Sequence, residues 1–162
     1  MKVLVTGGAG FIGSHTVQTL LTQGHSVVVL DNLYSGKTAN LENWPVELVE
    51  GDIRDQRACE QALTGVDAVI HLAAQISVIQ SIKDPATTHA INIDGTLNLL
   101  EGARRHGVKN FVFASSCAVY GDARELPIDE KTAASPLSPY AVSKLTGEHY
   151  CRMYREIYGL NV

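Results

Sequence analysis

Thr6-Gly7-Gly8-Ala9-Gly10-Phe11-Ile12-Gly13 follows the apolar run Val3-Leu4-Val5 directly and opens onto a helical pattern that starts at Phe11. Glycines in this place, between a strand and a helix, mark the first turn of a βαβ unit built to receive a dinucleotide. Gly7 allows the tight turn, Gly10 lets the backbone come close to a pyrophosphate, and Gly13 lets helix and strand pack together. The first amides of the helix and the positive end of its dipole then face the phosphates. A glycine turn that binds nothing has the same local composition; the βαβ order around this one is what argues for a ligand.

Working outward, short β-branched runs alternate with longer helical patterns, which predicts an α/β fold with a doubly wound parallel sheet, the dinucleotide-binding Rossmann arrangement. Strands are expected at 2–6, 26–30, 46–49, 68–72 and 110–114, and they read as near-continuous apolar runs because a parallel sheet is covered on both faces. Helices are expected at about 11–23, at 56–63 behind an Asp55 cap, at 85–105 with Asp84 as cap and Pro85 in the first turn, and at 139–158 behind Ser138. The irregular stretches 32–45 and 117–137 hold most of the turn-forming residues and are expected to carry function.

The chain has 162 residues, of which 45% are hydrophobic and 19% charged, enough for one domain spanning 1–162 with a real core. A net charge of -4 with scattered basic residues argues against a nucleic-acid partner. The three cysteines, Cys59, Cys117 and Cys151, are odd in number and lack CxxC spacing. With no Asn-x-Ser/Thr site in the sequence, a reducing compartment is expected and the protein is read as cytoplasmic. No apolar run reaches membrane-spanning length, and neither a signal peptide nor an anchor is expected. The six histidines show no paired ligand spacing, so no metal is expected.

Asp31 ends the second strand, where a carboxylate accepts hydrogen bonds from the adenosine ribose and repels a 2′-phosphate, which favours NAD over NADP. On the last helix Tyr140 and Lys144 are four residues apart and share a face. A free phenol titrates near pH ~10, and a neighbouring ammonium favours its phenolate, so this spacing can make Tyr140 a base for an alcohol proton. Ser116, at the end of the fifth strand, supplies a third group at the carboxyl edge of the sheet, where ligands of such folds sit.

The blocks TGGAGFIG (6–13), DN (31–32), GDIRD (51–55), HLAAQ (71–75), N-x-x-GT (92–96), SS-x-x-VYG (115–121) and YxxxK (140–144) occur in one order along the chain. In that ordered set the sequence resembles the N-terminal part of the extended short-chain dehydrogenases, the NAD-dependent epimerase/dehydratase family, and within it most resembles the UDP-glucose 4-epimerases. The resemblance implies that Gly7, Gly10, Phe11, Ile12 and Gly13 hold the pyrophosphate and that Asp31, Asn32, Ser35 and Gly36 sit by the adenosine ribose. It implies Asp52 and Ile53 flanking the adenine, Leu72, Ala73, Ala74 and Gln75 lining the cofactor channel, and Asn92 beneath the nicotinamide half. Ser116, Tyr140 and Lys144 are implied as catalytic residues, with Tyr140 and Lys144 also facing the cofactor. The implied reaction is epimerisation at C4 of a UDP-sugar through a transient 4-keto sugar.

Related dehydratases and decarboxylases carry carboxylates just after the serine, whereas this chain has Cys117 and Ala118, which leaves plain oxidation and reduction at C4. Cys117 echoes the reductive epimerases, in which a cysteine participates. By the resemblance, these 162 residues are expected to lack the family's C-terminal sugar-nucleotide-binding portion, and Leu160-Asn161-Val162 is expected to begin a sixth strand. The fifth strand is therefore expected to be an exposed edge, and the 162-residue chain to bind NAD modestly and turn over little by itself. Family resemblance also implies a homodimer through the helices at 85–105 and 139–158. A cofactor-binding module without catalysis is the competing reading; retention of Ser116, Tyr140 and Lys144 argues against it.

Overall fold

Strand β1 (Lys2–Thr6) lies at the centre of a five-stranded parallel sheet of order β3-β2-β1-β4-β5, with β2 at Ser26–Asp31, β3 at Glu47–Glu50, β4 at Ala68–His71 and β5 at Asn110–Phe113. This computed structural model describes residues 1–123 and 126–162; positions 124 and 125, within the irregular stretch 117–137, lie outside the described residues. The expected doubly wound sheet is present. The chain builds β1, β2 and β3 to one side, then returns to place β4 and β5 on the other. That reversal leaves a crevice at the carboxyl ends of β1 and β4, the place where open sheets of this kind bind ligands.

Successive strand residues point to opposite faces, and both faces are apolar over the central strands; edge strand β3 departs from the expected apolar run, since only Val49 is buried and Glu47, Leu48 and Glu50 are exposed. Val3, Val5, Val27 and Val29 pack with Val17 of α1 (Phe11–Thr22) on one side. Leu4, Val28, Leu30, Val69 and Phe111 pack on the other against α2 (Gln56–Ala62), α5 (Gly95–Arg105) and α6 (Pro139–Tyr158). Asp55, Asp84 and Ser138 cap their helices as expected, accepting from the amides of Arg57, Thr87 and Ala141.

The expected helix at 85–105 is divided. Short α4 (Pro85–His89) passes through a π turn, Ala90–Asp94, before α5 begins. Two residues explain the wider turn: Thr96 donates its hydroxyl to the Asn92 carbonyl at 2.6 Å, and Gly95 has no Cβ where one would lie 2.6 Å from Ile53 Cδ1. A π turn advances the helix face by a residue, and here it carries Asn92 into the interior. A further helix, α3 (Val78–Lys83), was not expected. Its signal is a Ser-x-x-Gln start, with Ser77 Oγ accepting from the Gln80 amide at 3.1 Å.

The β5 edge is open over part of its length. Asn161 makes a parallel bridge to Asn110, and the Phe111 amide donates to the Asn161 carbonyl at 2.8 Å, whereas Val112 is exposed.

Candidate functional site

The glycine turn is shaped by close backbone contacts. Gly7 has φ +71°, and a Cβ there would lie 2.9 Å from the Ala73 amide nitrogen; a Cβ on Gly13 would lie 2.1 Å from the Gly7 carbonyl oxygen. Gly10 differs, because a Cβ there would meet only the Gly7 oxygen, at 3.2 Å, so its outer side is open. Gly10 is also the N-cap of α1, and no side chain caps this helix. Phe11 and Ile12 are 80% and 67% exposed. The first-turn amides of α1 thus face open space, and the turn fits a pyrophosphate.

Asp31, 8% exposed, terminates β2 and faces this turn. Its carboxylate accepts from the Ala9 and Leu33 amides, each at 2.9 Å. Ala9 in turn accepts from the Lys37 amide at 3.0 Å and from Asn40 Nδ2 at 2.7 Å, which folds the stretch after β2 back over the glycines. Ser35 is exposed within it, and Gly36 approaches so closely that a Cβ would lie 3.0 Å from Asp31 Oδ1. Asn32 donates to Asp52 at 2.8 Å, and Arg54 grips the same carboxylate through two side-chain hydrogen bonds that hold it well below the usual range. The Ile53 side chain is buried against Gly95, so only its main chain can meet an adenine.

Across the crevice Leu72, Ala73, Ala74 and Gln75 leave β4 half-buried. The Leu72 and Ala73 amides donate to Thr6 Oγ1, both at 3.2 Å. Gln75 is fastened by Asn92, whose Oδ1 accepts from the Gln75 amide at 2.8 Å and whose Nδ2 donates to the Gln75 carbonyl at 3.0 Å and to Ser143 Oγ at 2.9 Å. Asn92 is 3% exposed, so it acts on the crevice through the Gln75 backbone.

Ser116 and Tyr140 are half-buried, and Lys144 is 4% exposed. Ser116 Oγ accepts from the Ala118 amide at 3.2 Å, at the head of the short helical turn Cys117–Tyr120. Its neighbour Ser115 is tied away to the Glu148 carboxylate. Lys144 Nζ donates to the Ala114 carbonyl at 2.9 Å and lies 5.0 Å from the centroid of the Phe113 ring. Burial pushes this ammonium down to about 8, so it keeps its charge at neutral pH. α6 is thereby docked on the end of β5, two residues before Ser116. Gly147 permits the approach, since a Cβ there would lie 2.4 Å from Phe113 Cζ.

The sequence assigns no site role to His71, Thr6, Thr96 or Ser143, although the first three stand in its motif blocks. His71 is packed and buried, with Thr6 and Thr96 hydroxyls on its two ring nitrogens at 2.7 and 2.9 Å. The available signal was register: Thr6 and His71 end adjacent strands as partners. Among the described residues there is no group of three or more metal-ligating side chains and no helix long and apolar enough to cross a membrane. Cys59, Cys117 and Cys151 are free, and only Cys117 is exposed.

Residues 3–162 match the family described as NAD dependent epimerase/dehydratase. The UDP-glucose 4-epimerase of Halalkalibacterium halodurans is 43% identical, over 99% of this chain and 48% of its own length. The Thermus thermophilus UDP-glucose 4-epimerase, solved in complex with NAD, superposes with a TM-score of 0.92 at 46% identity, covering 99% of this chain and 52% of that one. The Thermotoga maritima UDP-glucose 4-epimerase, solved with UDP-glucose, gives 0.94 at 42% identity, with 99% and 53% covered. The chain spans about half the length of these relatives. It belongs to the NAD dependent epimerase/dehydratase family.

Proposed function

We propose that this chain is the NAD-binding domain, residues 1–162, of an enzyme that epimerises a UDP-sugar of the glucose/galactose type at C4. The observation that carries the reading is the Lys144–Ala114 contact, which sets Tyr140 and Ser116 at the same carboxyl edge of the sheet as the uncapped glycine turn.

Gly10, Phe11, Ile12 and Gly13 hold the pyrophosphate through the amides of the α1 N-terminus. Asp31, with Asn32, Ser35 and Gly36 around it, receives the adenosine ribose; two of its acceptor positions are already used by Ala9 and Leu33, and the remainder suffice for ribose hydroxyls. Its negative charge selects against a 2′-phosphate. Leu72 to Gln75 form the wall of the channel. When bound, NAD supplies the hydride acceptor and donor that oxidises C4 and reduces it again. Tyr140 takes the proton of the sugar 4-hydroxyl and returns it, Ser116 hydrogen-bonds the reacting oxygen, and the Lys144 ammonium favours the phenolate of Tyr140. A 4-keto sugar lies between the two half-reactions. Cys117 and Ala118 offer no carboxylate for elimination.

The protein acts in the cytoplasm, a reading supported by its free cysteines, and needs no nucleic acid or membrane. It forms a homodimer through α4, α5 and α6, supported by the exposure of Val142, Ile157 and Tyr158 on α6. The 162-residue chain alone binds NAD modestly and turns over little UDP-glucose.

Calorimetric titration with NAD and NADP, followed by UDP-glucose on the loaded chain, tests this. Binding of NAD without NADP supports it; a folded chain that takes neither overturns it.

A further inference from the structure

A chain of hydrogen bonds runs from the glycine turn to the first turn of α6, and the direction of each proton in it follows from its neighbours. Thr96 donates to the Asn92 carbonyl at 2.6 Å, which can only accept, so the Thr96 hydroxyl proton is committed. Its 2.9 Å contact with His71 Nε2 must then be one in which the ring donates. In a neutral ring Nδ1 is consequently the acceptor, and it takes the Thr6 hydroxyl proton at 2.7 Å. Thr6 Oγ1 keeps its lone pairs for the Leu72 and Ala73 amides. On the far side, Asn92 holds Gln75 and donates to Ser143 Oγ, and Ser143 donates to the Tyr140 carbonyl at 2.7 Å. The segment Leu72–Gln75 is anchored at one end by Thr6 and at the other by Asn92, and His71 joins the two anchors through Thr96.

We propose that His71 is a positioning residue, a neutral ring carrying its proton on Nε2, that fixes the glycine turn, the Leu72–Gln75 wall and the first turn of Tyr140's helix relative to one another. Burial, with the Lys144 charge adding to it, pushes the ring's pKa down to about 3, which keeps it neutral. Fully satisfied polar chains of this kind rigidify what they connect. The inference rests on the NAD-dependent reading of the site, since the elements it fixes are those assigned to cofactor and base.

The test uses the 162-residue chain with nitrogen-15-labelled histidine. The ring of His71 is expected as the Nε2–H tautomer, slow to exchange, with resonances that move when NAD is added although the ring is buried. Thr96→Val keeps the side-chain shape and strands the Nε2–H, so the turn and the wall are no longer held to one another and NAD affinity of the folded variant is expected to fall about tenfold. Thr96→Ser restores the acceptor and is expected to recover the affinity. An Nδ1–H tautomer, or a folded Thr96→Val with wild-type NAD affinity, overturns the proposal. A wild-type chain that takes no NAD overturns the cofactor reading instead. The Tyr140 ring resonance then decides the positioning role: it supports the role by moving in Thr96→Val and returning in Thr96→Ser, and it refutes the role by staying fixed.

Discussion

The Lys144 ammonium lies 2.9 Å from the Ala114 carbonyl oxygen, so the residue that follows Tyr140 by one helical turn is bolted to the strand end that precedes Ser116 by two residues. The same contact removes a charge from water, and that has a measurable cost.

Burial lowers the Lys144 pKa from its ordinary 10.5 to about 8. The unfolded chain keeps this proton up to about pH 10.5, whereas the folded chain releases it near 8, so between the two the unfolded state binds more protons and stability rises with pH. Below pH 8 both states are protonated and the cost is constant. The gain across the window is about 3 kcal/mol. Urea unfolding of wild type and Lys144→Met, compared from pH 7.5 to 10.5, should show the difference moving in favour of wild type by that order; a flat difference rules the buried charge out.

Gly10 and Gly13 share a motif and should fail in different ways. A Cβ on Gly13 meets backbone, the Gly7 oxygen at 2.1 Å and the Gly8 Cα at 2.7 Å, so Gly13→Ala has to separate helix from turn; overpacking of this sort costs roughly 1–3 kcal/mol. At Gly10 the backbone is extended, with φ -77°, and the added methyl meets a single atom, the Gly7 carbonyl oxygen at 3.2 Å, which has to give by only a few tenths of an ångström. Gly10→Ala should therefore melt much closer to wild type than Gly13→Ala yet lose NAD affinity at least about tenfold, since each 1.4 kcal/mol of lost contact is tenfold in Kd. Thermal melts and calorimetry on the two variants separate these outcomes; equal melting losses contradict the assignment.

The central strands were legible to within about a residue because parallel strands buried on both faces must be continuous apolar runs, as in Val27-Val28-Val29-Leu30, whereas edge strand β3 keeps only Val49 buried. Caps were legible because Asp55, Asp84 and Ser138 act on amides two or three residues away. The π turn was not, since it depends on Ile53 pressing on Gly95 from another loop. Nor was the role of His71, whose partners Thr6 and Thr96 are 65 and 25 positions away and are brought to it only by strand register and helix packing. α3 was hidden for another reason: Val78, Ile79 and Ile82 are exposed, so it shows no apolar stripe turned to the core.

The three cysteines should separate cleanly in a labelling experiment. Burial raises Cys59 to about 12 and Cys151 to about 11, and neither presents a thiolate or a surface to a reagent at neutral pH. Cys117 is exposed beside Ser116. Native protein should react rapidly at one thiol and denatured protein at three. NAD with a UDP-sugar should slow the fast reaction if the crevice is the binding site, and mass mapping of the label to Cys59 or Cys151 would contradict the packing.

Asp31 braces the glycine turn and is proposed to select the cofactor as well, and one substitution can separate the two roles. Its two oxygens take the Ala9 and Leu33 amides, both at 2.9 Å, so it shapes the glycine turn, while the proposed function has its charge receive the ribose. Asn in its place offers one acceptor oxygen and turns an NH2 toward an N–H, leaving a buried donor unpaired at a cost of roughly 1–3 kcal/mol. Asp31→Asn should consequently melt lower and bind NAD more weakly, because the turn that presents the α1 amides is no longer held. The repulsion of a 2′-phosphate is lost at the same time, so the ratio of NADP to NAD affinity should rise even as both bind poorly. Calorimetry with the two cofactors reads the ratio directly. If NAD affinity falls while the ratio stays at its wild-type value, Asp31 is a brace for the turn and selects nothing.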